Sequence, residues 1–130
     1  MGSIANFTTT AITATTVVTT AETVIATLNN VSTSLPGQVI RFDSQCDLTT
    51  GTLATAITWR IRRTSLTGTA VVTLGPTVSG VAASSRGTYD IEGTDAPGES
   101  SGPYVLTVAF TGATTNATIN AVILQANIGG

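Results

Sequence analysis

Apolar and polar residues alternate with a period of two along much of the chain, most clearly over residues 53–63. There Leu53, Ile57, Trp59 and Ile61 fall on one face, and Thr58, Arg60 and Arg62 on the other. Successive side chains of an extended strand point to opposite faces, so this run predicts a strand with one face buried. The same period recurs over 38–48, with Ile40, Phe42 and Cys46 opposite Arg41 and Asp43, and in Tyr104, Leu106, Val108 and Phe110. Shorter strands are predicted at 23–28, 69–74, 77–83 and 86–92. In a final strand, 117–128, Ile119 and Ile123 lie on one face and Val122, Leu124 and Ile128 on the other, which reads as cover on both sides. Asn29-Asn30, Leu35-Pro36-Gly37, Thr67-Gly68 and Gly75-Pro76 mark turns, and 93–103 reads as a loop. No segment carries a helical period with caps.

About eight short strands separated by turns predict an all-β fold, closed as a two-sheet β-sandwich of jelly-roll type. An immunoglobulin-like sandwich is the alternative, although its paired cysteines are absent. Residues 1–20 are rich in Thr and Ala, with Ile4, Phe7, Ile12, Val17 and Val18 scattered among them. Alternation there is too weak for a strand of the sandwich, so the expectation is an extended N-terminal arm, 1–20, ahead of one domain, 21–130. Deleting the arm should then leave the fold intact.

Composition sharpens this picture. The 130 residues suit a single domain with a real core. Charged residues make up 9% of the chain, with no Lys and no His, so all five basic groups are Arg against seven acids. Thr and Ser keep the surface wet, and Thr favours strands because its branched Cβ packs on a pleated face. The small net negative charge of −2 argues against a nucleic-acid partner. The absence of an apolar run of about 18 residues argues against a membrane partner. The start lacks a charged leader with an apolar stretch, and Asn6 stands where a myristoylation signal wants Ser or Thr. Cys46 is alone and reads as a buried, inert thiol.

Candidate chemistry is sparse. Without His there is neither the commonest general base nor the commonest metal ligand, and without Lys no Schiff base. These gaps exclude triad-type catalysis, and no cofactor is expected. Paired carboxylates remain the one enzymatic option. Asp90, Glu92, Asp95 and Glu99 fall close together, a candidate oxygen-ligand site for calcium, although a solvated acidic loop explains them more simply. Arg60, Arg62 and Arg63 beside Trp59 raise nucleic acid, but Trp59 lies on the opposite face from Arg60 and Arg62, so no stacking platform interleaves with the cations. Cross-strand pairing of these arginines with Asp43 or Asp47 is the expectation, with an Arg60 and Arg62 subunit contact as the alternative role.

The runs Thr20-Ala21-Glu22-Thr23-Val24-Ile25-Ala26-Thr27-Leu28, Pro36-Gly37-Gln38, Leu48-Thr49-Thr50-Gly51-Thr52 and Trp59-Arg60-Ile61-Arg62-Arg63, with the later Tyr89-Asp90-Ile91 and Tyr104-Val105-Leu106-Thr107-Val108, give most of the chain beyond residue 20 a particular texture. It is Thr- and Ala-rich, lacks Lys, and is built of Gly-punctuated strands. In this the chain resembles head decoration (cement) proteins and related small virion surface proteins of tailed bacteriophages. The resemblance implies a non-enzymatic virion protein on the capsid surface, partnered by the major capsid protein and assembled as a homotrimer. It also implies an arm that reaches across capsid subunits, here through Ile4, Phe7 and Ile12. A receptor- or carbohydrate-binding module of a fibre or adhesin is the rival. It needs exposed aromatics, whereas Trp59, Phe42, Tyr104 and Phe110 all read as inward-facing.

Overall fold

A computed structural model describes residues 5–11, 16–18, 21–33, 37–50, 56–77, 86–98, 100–111 and 117–129. Nine strands are formed among them: β1 (Ala5–Ala11), β2 (Thr16–Val18), β3 (Thr23–Thr33), β4 (Val39–Thr50), β5 (Ala56–Arg63), β6 (Ala70–Thr77), β7 (Arg86–Asp95), β8 (Ser100–Thr111) and β9 (Ala117–Gly129). A front sheet runs β1-β9-β4-β7, with β2 also on β9, and a back sheet runs β3-β8-β5-β6.

Because β1 and β2 pair in turn with the two ends of β9, they act as one edge strand. The pairs β1·β9, β3·β8, β4·β7 and β5·β6 are then the four rungs of a single long hairpin. That hairpin is folded so that β9 meets β4 and β8 meets β5. All these pairings are antiparallel, and only β5 and β6 are neighbours in both sequence and sheet. This is the jelly roll. The immunoglobulin-like alternative fails on these pairings, because its first two strands pair with each other and here β1 pairs with β9.

The expected arm is therefore corrected in part. Residues 5–11 and 16–18 complete the front sheet, because the outer side of β9 would otherwise leave a long row of backbone donors and acceptors unpaired. Weak side-chain alternation did not prevent pairing, since an edge strand gains its place through main-chain bonds.

Between the sheets, Ile57, Trp59 and Ile61 of β5 have no exposed surface. Ile40, Phe42, Cys46 and Leu48 of β4 face them across the sandwich. Two aromatic contacts bridge the layers, Phe42 to Tyr104 at 4.8 Å between ring centroids and Trp59 to Tyr89 at 5.2 Å. Ser44 shares the inward face of β4, where its hydroxyl donates to the Ile123 carbonyl at 2.7 Å.

Several boundaries differ from expectation, each for a local reason. Asn29-Asn30 does not end β3, because a register shift between Leu28 and Val31 absorbs the pair. Gly75-Pro76 lies inside β6, which tolerates a proline because it is an edge strand. The expected 93–103 loop shrinks, since β7 runs to Asp95 and β8 begins at Ser100. In β9 the pairing with β4 skips Asn120, so the extra residue moves Ile119 onto the same inward face as Val122, Leu124 and Ile128. The strand is buried on one face, not two, and Ile123 lies on the other. Leu53, Leu35, Pro36 and all but Thr77 of the 77–83 strand lie outside the described residues.

Candidate interaction surface

With the apolar side chains turned inward, the outer faces carry the charge. On the back sheet, β5 presents Arg60 and Arg62 outward, and Glu22 reaches them from just before β3. Glu22 accepts from Arg62 Nε at 2.5 Å and Nη2 at 2.9 Å, from Arg60 Nη1 at 3.4 Å, and from the Thr107 hydroxyl at 2.7 Å. The Arg62 bonds, with help from Thr107 and the arginine charges, hold the Glu22 carboxyl below its ordinary value despite partial burial. The expected partners Asp43 and Asp47 are thus corrected to Glu22. Those two acids sit on β4 of the front sheet, on the far side of the core. Glu22 escaped the sequence reading because the bond spans 38 and 40 residues. One signal was present: two same-face arginines form a fork, and Glu22 is the sole acid in the first 42 residues.

A second cluster locks the end of β7. Arg63 donates to both oxygens of Asp95, at 2.8 and 2.6 Å, and the Tyr104 hydroxyl donates to Oδ2 at 2.7 Å. Burial alone would raise the Asp95 carboxyl, but these bonds and the Arg63 charge outweigh it and hold it low. Burial together with the bond to Asp95 pushes the Tyr104 hydroxyl up. Asp95 faces inward with Ile91, whereas Asp90 and Glu92 are exposed on the opposite face of β7. The proposed calcium ligands are therefore separated by the strand itself, and Glu99 lies outside the described residues. No cluster of three metal-ligating side chains occurs among the described residues.

The front sheet's outer face differs in balance. Arg86 holds Asp47 through Nε, to Oδ1 at 3.0 Å and Oδ2 at 3.2 Å, and through Nη2 to Oδ2 at 2.7 Å, and Asn120 donates to the same carboxylate at 3.2 Å. In the β4–β7 register, however, Asp43 stands directly opposite Glu92, and Gln45 opposite Asp90. Among the described residues none of these three acids has an ion-pair partner. Beside them, Arg41, Phe42, Asp43, Glu92, Gly93 and Thr94 line an open depression of about 370 Å³. It offers two carboxylates, an arginine and a threonine, with no Cys, His or Lys among its lining residues.

Of the residues singled out from sequence, Arg60 and Arg62 are together on the outer back face, bound to Glu22. Phe7 lies in β1 opposite Ala126, and Ile4 and Ile12 lie outside the described residues. Cys46 is fully buried, and desolvation, helped by the Asp47 charge, pushes its thiol up to about 12. That makes it a core residue, inert toward nucleophilic chemistry.

No family profile and no curated protein matches the sequence. Solved structures do resemble the fold. VP2 from the infectious bursal disease virus subviral particle superposes with a TM-score of 0.67 at 10% identity, covering 95% of this chain and 32% of that one. A T13 particle of the same virus gives 0.64 at 8% identity over 96% and 31%. The Gx strain gives 0.59 at 12% identity over 95% and 32%. This chain spans about a third of the length of each of those proteins. At such identities the likeness is one of fold.

Proposed function

We propose that this chain is a non-enzymatic structural protein of a virion, a jelly-roll module that decorates and stabilises the outside of a phage capsid. Its partners in this reading are the major capsid protein and further copies of itself, as a homotrimer. The observation that carries the reading is the superposition of nearly the whole chain on one portion of the VP2 of an icosahedral virus. Fold alone does not assign function. Two further features support the same conclusion. The chain has neither His nor Lys, and Glu22, Asp47 and Asp95 are all engaged by arginines. Short Thr, Ser and Ala side chains also suit a docking surface, because little rotamer entropy is lost when they are covered.

The sugar-binding alternative has no observation in its favour. Trp59, Phe42, Tyr104 and Phe110 are at most 3% exposed, so none offers a ring for stacking. The test is sedimentation: capsid shells prepared without this protein are mixed with the purified chain and pelleted. Saturable binding at a fixed ratio to the major capsid protein is the expected result. Protein that stays in the supernatant at every concentration overturns the proposal.

A further inference from the structure

Of the four sheet edges, three are interrupted. The β3 pairing shifts register at Val24/Ala26 and again at Leu28/Val31. The β6 pairing shifts at Ile57/Trp59 and Ile61/Arg62, and β6 contains Pro76. The edge along β9 is divided between β1 and β2. By contrast β7 pairs with β4 through ten consecutive residues, Arg86–Asp95, without a shift. Bulges, prolines and breaks are how sheet edges are kept from pairing with other chains, and β7 carries none.

The occupant follows from charge. When two copies of β7 pair antiparallel about a two-fold axis with their outer faces on the same side, same-parity residues meet. Centring the axis on Asp90 sets that acid against itself, centring it on Ile91 sets Asp90 against Glu92 twice, and centring it on Thr88 matches Arg86 with Asp90 but shares only the five residues Arg86–Asp90 of β7. Centring it on Tyr89 puts Arg86 of each copy opposite Glu92 of the other, with Thr88 opposite Asp90. That register also brings a cation to Glu92, which within one chain faces only Asp43 across the strands. Arg86 is 67% exposed, so it can reach a second carboxylate beyond Asp47.

We infer that β7 is a self-association edge, at which a second copy of this chain adds antiparallel about Tyr89 to make the front sheet continuous across two protomers. Such a contact is isologous, so it pairs free protomers or links two trimers, and it stands whether or not the virion reading does.

Sedimentation velocity on the full chain tests it, over roughly 10 µM to 1 mM, the affinity range of small contacts. Wild type should double its mass as concentration rises. Glu92→Arg should stay at the undoubled mass while melting no lower than wild type, because it also removes the repulsion with Asp43. Combining Arg86→Glu with Glu92→Arg should restore doubling. The mass of Glu92→Arg separately reads the trimer, being either the 13.1 kDa protomer or three times that. A wild type that never doubles, or a Glu92→Arg that doubles as wild type does, overturns the inference. A folded double variant that fails to double overturns the register.

Discussion

Trp59 is among the largest side chains with no exposed surface, and its ring rests on Tyr89 of the opposite sheet. Trp59→Ala should therefore cost roughly 3–5 kcal/mol in a denaturant melt, the range for deleting a buried aromatic. A loss below about 1 kcal/mol would show that the side chain is not in the core. Gly68 is needed for a different reason. A Cβ there would stand 1.7 Å from the Arg63 carbonyl oxygen, a backbone atom fixed by the β5–β6 hairpin. Gly68→Ala should cost about 2–3 kcal/mol, whereas Gly102→Ala, whose Cβ meets nothing within 4 Å, should be near neutral in the same melt. The two part-buried ion clusters set the acid limit of stability. Glu22 and Asp95 are held below their ordinary values of 4.5 and 3.8. A depressed carboxylate contributes its full stabilisation above the unfolded value and loses it as pH falls through the folded one. The urea midpoint should thus be level from about pH 7 to 5 and fall below about pH 4. Asp95→Asn should cost about 1.5–3 kcal/mol of stability at neutral pH, the range for hydrogen bonds to a charged group, and flatten the acid fall. An unchanged acid profile in that variant would show that Asp95 is not the group responsible.

At the scale of elements, strands with one buried face were legible because period-two alternation is a direct consequence of burial on a sheet. Residues 57–63 of β5, and β4 from Ile40 to Leu48, follow that pattern. What alternation could not show was pairing that depends on the main chain. β1 is the clearest case: its Thr-rich run has little pattern, and its place is given by seven successive partners on β9. Bulges were hidden too, because one extra residue reverses the phase, as Asn120 does between Ile119 and Val122. The Arg60 and Arg62 partner was out of reach for a related reason, since Glu22 becomes a neighbour only once β3 and β5 flank β8 in one sheet. Deleting residues 1–20 should now lower the melting temperature substantially, because it strips the β9 edge of both β1 and β2. Melting unchanged from the full chain would restore the reading of these residues as a separable arm.

At the scale of the whole molecule, the jelly roll places its apolar side chains between two sheets and leaves two outer faces of unlike character. The back face is small-residue and Arg-bearing, with its arginines drawn to Glu22. The front face carries Asp43, Asp90 and Glu92 without ion-pair partners among the described residues. A module of that kind can bind through faces and edges without any chemistry, which is what a capsid-surface protein requires. For the proposed capsid role the most direct measurement is cryo-electron microscopy of particles purified from lysates of cells that express this gene, at a resolution that traces strands. The expected result is eight-stranded jelly-roll density on the outer shell into which this chain fits, with the order β1-β9-β4-β7 in one sheet and β3-β8-β5-β6 in the other. Purified particles that contain no such density, and none of this chain by mass spectrometry, would contradict it.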